Sequence, residues 1–240
     1  ITIDGKVMAV AFMANTQHLY YREDVLKELG IPVPKTYEEV VAASEKIRAS
    51  GKMQHPYAAA YKAGWNLAEE FVNMFIGHGG EFFKAGTAEP NINNAKGVAT
   101  LNMLKKLASL SNPDYLTHDS EAIKVEWESG KVALMTLWAS RSGTLLDDEG
   151  DAKITAATKL TGPATVGGGN IPAATLWWDG FTLAKNRSDS DAEATFIALA
   201  HAASNKKMVA DAADQAVWLV EGFVPGPKSI GVIEAVKMGA

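Results

Sequence analysis

Six tryptophans carry the most readable chemistry in this chain: Trp65, Trp127, Trp138, Trp177, Trp178 and Trp218. An indole is a flat apolar plate, and such a plate can cover the C–H face of a pyranose. The hydroxyl rim of the same ring needs directional partners, which Asn, Gln, Asp, Glu and Arg supply. Asn15, Gln17, Asn66, Arg141 and Asp179 lie beside these aromatics or at predicted strand ends. The set fits a polyol site, although any α/β protein offers similar residues near its strand ends. Trp138 closes a predicted strand, and strand ends are where α/β folds bind ligands. Trp65 opens a predicted helix. Trp177 and Trp178 are neighbours on a strand, so one turns inward and the other faces solvent or a cleft. Trp127 sits one turn after Ile123 and is expected in the core.

Other chemistries find no support. His18, His55, His78, His118 and His201 include no i, i+4 pair, and no cysteine assists them as a metal ligand. Gly167-Gly168-Gly169 lacks the Gly-Lys-Ser/Thr of a phosphate cradle and reads as a flexible crossing loop. No G-x-S-x-G elbow occurs. The acid pairs Glu69-Glu70 and Asp147-Asp148-Glu149 read as solvated helix faces, because adjacent helical residues point to different sides. The expectation is a protein that is not an enzyme, with no cofactor and no metal.

Elements that could position these residues follow from spacing and punctuation. An apolar run at 7–13 predicts a buried strand. Residues 22–29 have helical spacing, with Val25, Leu26 and Leu29 on one face and Gly30 suited to the left-handed C′ position. Pro32 and Pro34 hold the linker extended, and Thr36-Tyr37-Glu38-Glu39 is a capping box. Helices are predicted at 65–78 (Leu67, Phe71, Met74 and Phe75 inward), 94–110 (Val98, Leu101, Leu104 and Leu107 inward), 121–129 and 140–149. Further helices fall at 191–203, capped by Ser188 or Ser190, and at 206–215 and 230–238. Strands are predicted at 57–61, 132–137, 154–158 and 176–185. Residues 161–175 and 222–228 are rich in turn formers and read as loops or crossings. Interspersed helices and strands give an α/β class.

At 240 residues the chain can hold one large domain or two lobes. A net charge of −5 without a basic cluster argues against nucleic acid. No apolar run approaches the length of a membrane span. The first residue is Ile1 rather than Met, so the chain reads as a piece of a longer protein, and a missing signal peptide says nothing about export.

The order of residues at 19–39, LYYREDVLKELGIPVPKTYEE, resembles the segment YY-x-x-D-x-L-x-x-x-G-I-x-x-P-x-T-x-x-E of family 1 extracellular solute-binding proteins. These are the sugar-capturing subunits of bacterial ABC importers, of which maltose-binding proteins are one kind. Other segments agree in the same order. Asp4-Gly5-Lys6-Val7 and residues 10–21 resemble the G-K-x-x-A-x-P strand, with Phe12-Met13 near the place of its usual Pro. Residues 75–81 resemble the helix end before G-G, residues 127–135 resemble F-x-x-G-K-x-A-M, and residues 191–194 resemble a helix start. Gly222-Phe223-Val224-Pro225 with Lys228-Ser229 resembles the late G-x-x-P-x-x-x-S turn.

The resemblance implies a two-lobe fold of the type II periplasmic-binding-protein kind, here mostly the second lobe plus part of the first. It places the second, C-terminal lobe at 10–154 and 223–240 and a partial first, N-terminal lobe at 163–217. Crossings fall near 5–14, 155–162 and 218–222. It implies a substrate-binding component that takes a sugar or polyol in an interlobe cleft and delivers it to an ABC permease, in the periplasm or outside the cell. Neither nucleic acid nor membrane insertion is implied. The ligand contacts it implies are Asn15, Gln17, Trp65 or Asn66, Trp138, Arg141, Trp178 and Asp179. A glycan-active enzyme, or a binding lobe for another solute or a sensor, is the alternative. A chain lacking much of one lobe is expected to bind sugar weakly or undetectably and to self-associate through exposed apolar surface.

Overall fold

The structure is a computed structural model and describes residues 2–145 and 150–202. In chain order the elements are strands β1 (Thr2–Ile3), β2 (Lys6–Val7) and β3 (Val10–Arg22), then helices α1 (Glu23–Glu28) and α2 (Tyr37–Ala49). Strand β4 (Tyr57–Ala58), helices α3 (Trp65–Gly77) and α4 (Ala95–Ser109), and helix α5 (Ser120–Glu128) follow. Strand β5 (Leu134–Trp138), a 3-10 turn (Ala139–Arg141), and helices α6 (Ser142–Leu145) and α7 (Ala152–Ala157) come next. Strands β6 (Thr158–Thr161) and β7 (Leu176–Phe181) and helix α8 (Asp189–Ala202) complete the described set. The helices predicted at 206–215 and 230–238, the turn at 222–228 and Trp218 lie outside the described residues.

The described residues form two compact units. The larger holds 17–138, 145 and 150–175; the smaller holds 2–16, 139–144 and 176–202. In the larger unit the strands run in the order β4-β5-β3-β6. Strands β4 and β5 are parallel, and β3 is antiparallel to both β5 and β6. Side chains alternate across a strand, so Leu19 and Leu134 join one core while Tyr20 and Met135 join another. The first core packs β-face residues against α2, α3 and α4, with Val40, Ile47, Met74 and Leu107 fully buried. The second centres on Trp127 of α5, which meets Tyr20 edge to face and donates from Nε1 to Thr158 Oγ1 at 2.9 Å. Both faces of the sheet are therefore covered, which explains why β5 is apolar along nearly its whole length.

Local punctuation acts as expected around α1 and α2. Gly30 adopts φ 59°, which lets Ile31 N donate back to Leu26 O and close α1. Thr36 Oγ1 accepts from Glu39 N, and the Glu39 carboxylate accepts from Thr36 N.

Five expectations are corrected. Residues 154–158 are mostly helix, because Asp151 accepts from Lys153 N and starts α7; extended pairing begins only at Thr158, opposite Arg22. Val98 and Leu101 are exposed, since α4 turns Gly97, Thr100, Leu104 and Leu107 inward. Val7 and Met8 are exposed, and β3 proper starts at Val10. Glu70 of the supposed solvated pair is buried. The triple-glycine loop is pinned rather than flexible: Gly167 N donates to Glu38 Oε1 at 2.9 Å, and Tyr37 N donates to Thr165 O at 2.8 Å. A Cβ at Gly167 would lie 2.5 Å from His78 Nδ1, so only glycine fits that contact.

In the smaller unit β1 and β2 form a hairpin around Asp4 and Gly5, both at positive φ, as a two-residue hairpin turn requires. Residues 10–16 of β3 pair antiparallel with β7, with an irregularity between Ala11 and Met13. Ser188 Oγ accepts from Asp191 N at the start of α8, so Ser188 is the capping residue. Leu176, Phe196 and Ile197 remain exposed. Among the described residues no helix is long and apolar enough to cross a membrane.

Candidate functional site

Trp65 and Trp138 meet in the larger unit. Trp65 opens α3 directly after Gly64, and Trp138 ends β5 with its Cα opposite that of Gln17. Their ring centroids are 6.4 Å apart and the planes differ by 21°, a stacked arrangement. Trp138 is 8% exposed and Trp65 is 54% exposed, so one indole of the pair is buried and the other partly reaches solvent. The Trp138 carbonyl accepts from Tyr20 Oη at 3.4 Å, which fixes the strand end. Asn66, the other candidate at this helix start, is half-buried.

Below this pair lies a line of buried polar side chains. Thr175 Oγ1 donates to Asn73 Oδ1 at 2.5 Å, Asn73 Nδ2 donates to Gln17 Oε1 at 2.6 Å, and Gln17 Nε2 donates to Glu70 Oε1 at 2.8 Å. Gln17 is 2% exposed and both ends of its amide are engaged. Burial pushes the Glu70 carboxyl up to about 8; the Gln17 hydrogen bond lowers it and the neighbouring Glu69 carboxylate raises it. Burial thus favours the protonated form of Glu70. Tyr37 and Tyr57 share Thr136 Oγ1, at 3.3 and 3.0 Å, and the Tyr61 hydroxyl is buried beside Tyr57. Burial, with a smaller contribution from Glu70, raises all three phenols above their ordinary range.

Glu70, Asn73 and Thr175 were not among the residues picked from the sequence. A signal was available for Glu70, which lies three residues after Leu67 and four before Met74, inside the apolar stripe of α3. A carboxylate in such a stripe needs a buried partner, and Gln17 provides it.

In the smaller unit Asn15 is tied to the turn after β5. Its Nδ2 donates to Ser140 Oγ at 2.9 Å and its Oδ1 accepts from Ser140 N at 3.2 Å. Arg141 follows on the same 3-10 turn and is half-buried. On β7, Trp177 Nε1 donates to Asp179 Oδ1 at 3.1 Å, because residues two apart share a face. Trp178 faces the other way and is half-buried, its Cα opposite that of Ala14. The structure thus joins Gln17, Trp65 and Trp138 in one unit, and separately places Asn15 near Arg141, and Trp178 next to Asp179, in the other. Among the described residues no cluster of His, Asp or Glu could hold a metal ion.

Comparison with known proteins agrees with this α/β framework. A relative in Deinococcus radiodurans, a probable ABC transporter-binding protein, is 29% identical over 77% of this chain and 44% of its own length. A multiple sugar-binding protein of Streptococcus mutans is 40% identical, over 27% of this chain and 15% of its own. Among solved structures, maltose-bound MalE3 of T. maritima superposes with a TM-score of 0.77 at 21% identity, over 98% of this chain and 60% of that one. A ribitol complex of an ABC transporter solute-binding protein from Agrobacterium radiobacter gives 0.76 at 23% identity, over 90% and 54%. These likenesses show the fold, that of two-lobe periplasmic sugar-binding proteins, and the chain spans about half the length of such relatives. The family profile described as bacterial extracellular solute-binding protein matches residues 2–216 of the 240. On that match, the chain belongs to the bacterial extracellular solute-binding protein family.

Proposed function

We propose that this chain acts in the solute-binding component of a bacterial ABC importer, outside the cytoplasmic membrane, and that its solute is a sugar or polyol passed on to a membrane permease. The observation that carries the reading is the stacked Trp65–Trp138 pair, one indole buried and the other partly exposed. A plate of this kind gains affinity from the apolar face of a ring while leaving its hydroxyls to polar partners. Similar folds support the ligand class, since solved relatives hold maltose, ribitol and D-mannitol. We assign the larger unit to the second lobe and the smaller to part of the first. Asn66 would serve the larger unit as a polar contact beside the plate. Asn15, Arg141 and Asp179 would supply polar contacts in the smaller unit, and Trp178 an aromatic face. No covalent step is required for this task.

A thermal-shift screen of the protein against maltose, ribitol and D-mannitol tests the reading, because a ligand that binds only the folded state raises the melting temperature. A saturable rise with one of them, weakened about tenfold or more in concentration by Trp65→Ala, is expected. Equal response of wild type and Trp65→Ala would remove the plate from the site. Turnover of an oligosaccharide would overturn the binding role.

A further inference from the structure

Helix α3 carries Trp65 in its first turn, Glu70 one turn later and Asn73 in the turn after that. Strand β3 carries Gln17 directly opposite Trp138. The two hydrogen bonds that Gln17 makes, to Glu70 and from Asn73, therefore join the helix bearing one indole to the strand pair bearing the other. We propose that Glu70 is a positioning residue, which through Gln17 fixes α3 on the end of the β3–β5 ladder and so sets the spacing of the Trp65–Trp138 plates. Where ligand is concerned, this rests on the binding role proposed above; the geometry of the plates does not.

The surroundings of Glu70 give it a protonation-dependent grip. It is 2% exposed. Among the described residues, the titratable groups that interact with it are all acids: Glu69 from its own helix, Tyr37 from α2, Tyr57 from β4 and Tyr61 just beyond β4. From β3 it faces the neutral amide of Gln17. A neutral carboxyl fits among these groups. An ionised one places a buried charge beside Glu69 and three phenols, and the relief is to move α3 outward. The plates are then held in register while Glu70 keeps its proton and loosen as pH rises through about 8. Glutamine is the isosteric neutral substitute, because its carbonyl accepts from Gln17 as the carboxyl does.

Stacked indoles give an exciton signal in circular dichroism, and Trp65→Phe identifies the part due to this pair. Between pH 6 and 9.5, wild type should lose that part with a midpoint near pH 8. Glu70→Gln should keep it throughout, and Glu70→Ala should show it weakened at every pH. A flat wild-type signal, or the same transition in Glu70→Gln, overturns the proposal. Titration with maltose, ribitol and D-mannitol adds a separate readout. If none binds any variant, the sugar reading fails and the spectroscopic result alone decides the role of Glu70. If one binds, Glu70→Ala should weaken it about tenfold, the worth of a lost buried hydrogen bond, with Glu70→Gln within about twofold. Equal affinity in all three would overturn the proposal.

Discussion

Helices α2 and α8 have similar lengths and serve opposite situations. In the larger unit α2 buries Val40 and Ile47 completely and is fastened at its start by a reciprocal cap. In the smaller unit α8 leaves Phe196 51% and Ile197 61% exposed, and strand β7 beside it in sequence leaves Leu176 open. The two helices differ in pattern: α2 gathers its apolar residues on one face, whereas α8 is more apolar on average and spreads them around its circumference. The difference teaches that apolar content alone does not bury a helix, and that burial follows where a distinct face meets a neighbour. Stability in this chain is therefore expected to reside in the larger unit, and stickiness in the smaller.

The contrast is most open to disproof in the core. Trp127→Ala removes a buried indole and its bond to Thr158, and should cost about 3–5 kcal/mol in urea unfolding, whereas Phe196→Ala should stay within about 0.5 kcal/mol. Similar costs at the two sites would break the comparison. The pH dependence of the larger unit sharpens it. Glu70 has an ordinary value of 4.5 and is raised to about 8 when folded, so the native state keeps a proton that the unfolded chain has lost. Its stabilising contribution is full below about pH 4.5, falls by at most about 1.4 kcal/mol per pH unit toward pH 8, and levels off above that. Comparing urea midpoints of wild type and Glu70→Gln from pH 5 to 9 should show the curves diverging across that window. Thr36→Ala should cost about 1 kcal/mol by loss of the cap, read from the same midpoints. The smallest change in stability is expected for Phe196→Ser with Ile197→Ser, within about 0.5 kcal/mol. Light scattering should nevertheless show less self-association in that double variant, and no change there would mean the exposed face of α8 is not adhesive.

Sequence legibility tracked distance. The cap at Thr36–Glu39, the close of α1 at Gly30 and the core role of Trp127 depend on residues within a few positions or on a single large side chain, and they were readable. Helix α4 was readable as a helix, but its inward face was misjudged by part of a turn. Gly97 and Thr100 face inward because the Ile92 carbonyl lies where a Cβ at 97 would stand, a constraint that periodicity of large residues does not report. Residues 154–158 looked extended because Ile154 and Thr155 are β-branched, while the deciding bond came from Asp151. In the candidate site the indoles could be named from their places at element ends. The Thr175–Asn73–Gln17–Glu70 line could not, because it joins residues more than fifty positions apart on three separate segments.

Strand β3 also sets a schedule for synthesis. Its residues 17–22 gain their first partner when β5 emerges, but residues 10–16 wait for β7, about 160 residues later. At ribosomal speeds of about 5–20 residues per second, that is an interval of roughly 8–32 s. During it the start of the strand carries an unclaimed backbone edge, available to any other nascent chain. Strands β4 and β5 arrive well before then, but the larger unit runs to Thr175 and ends where β7 begins, so its last segment and the partner of residues 10–16 emerge together.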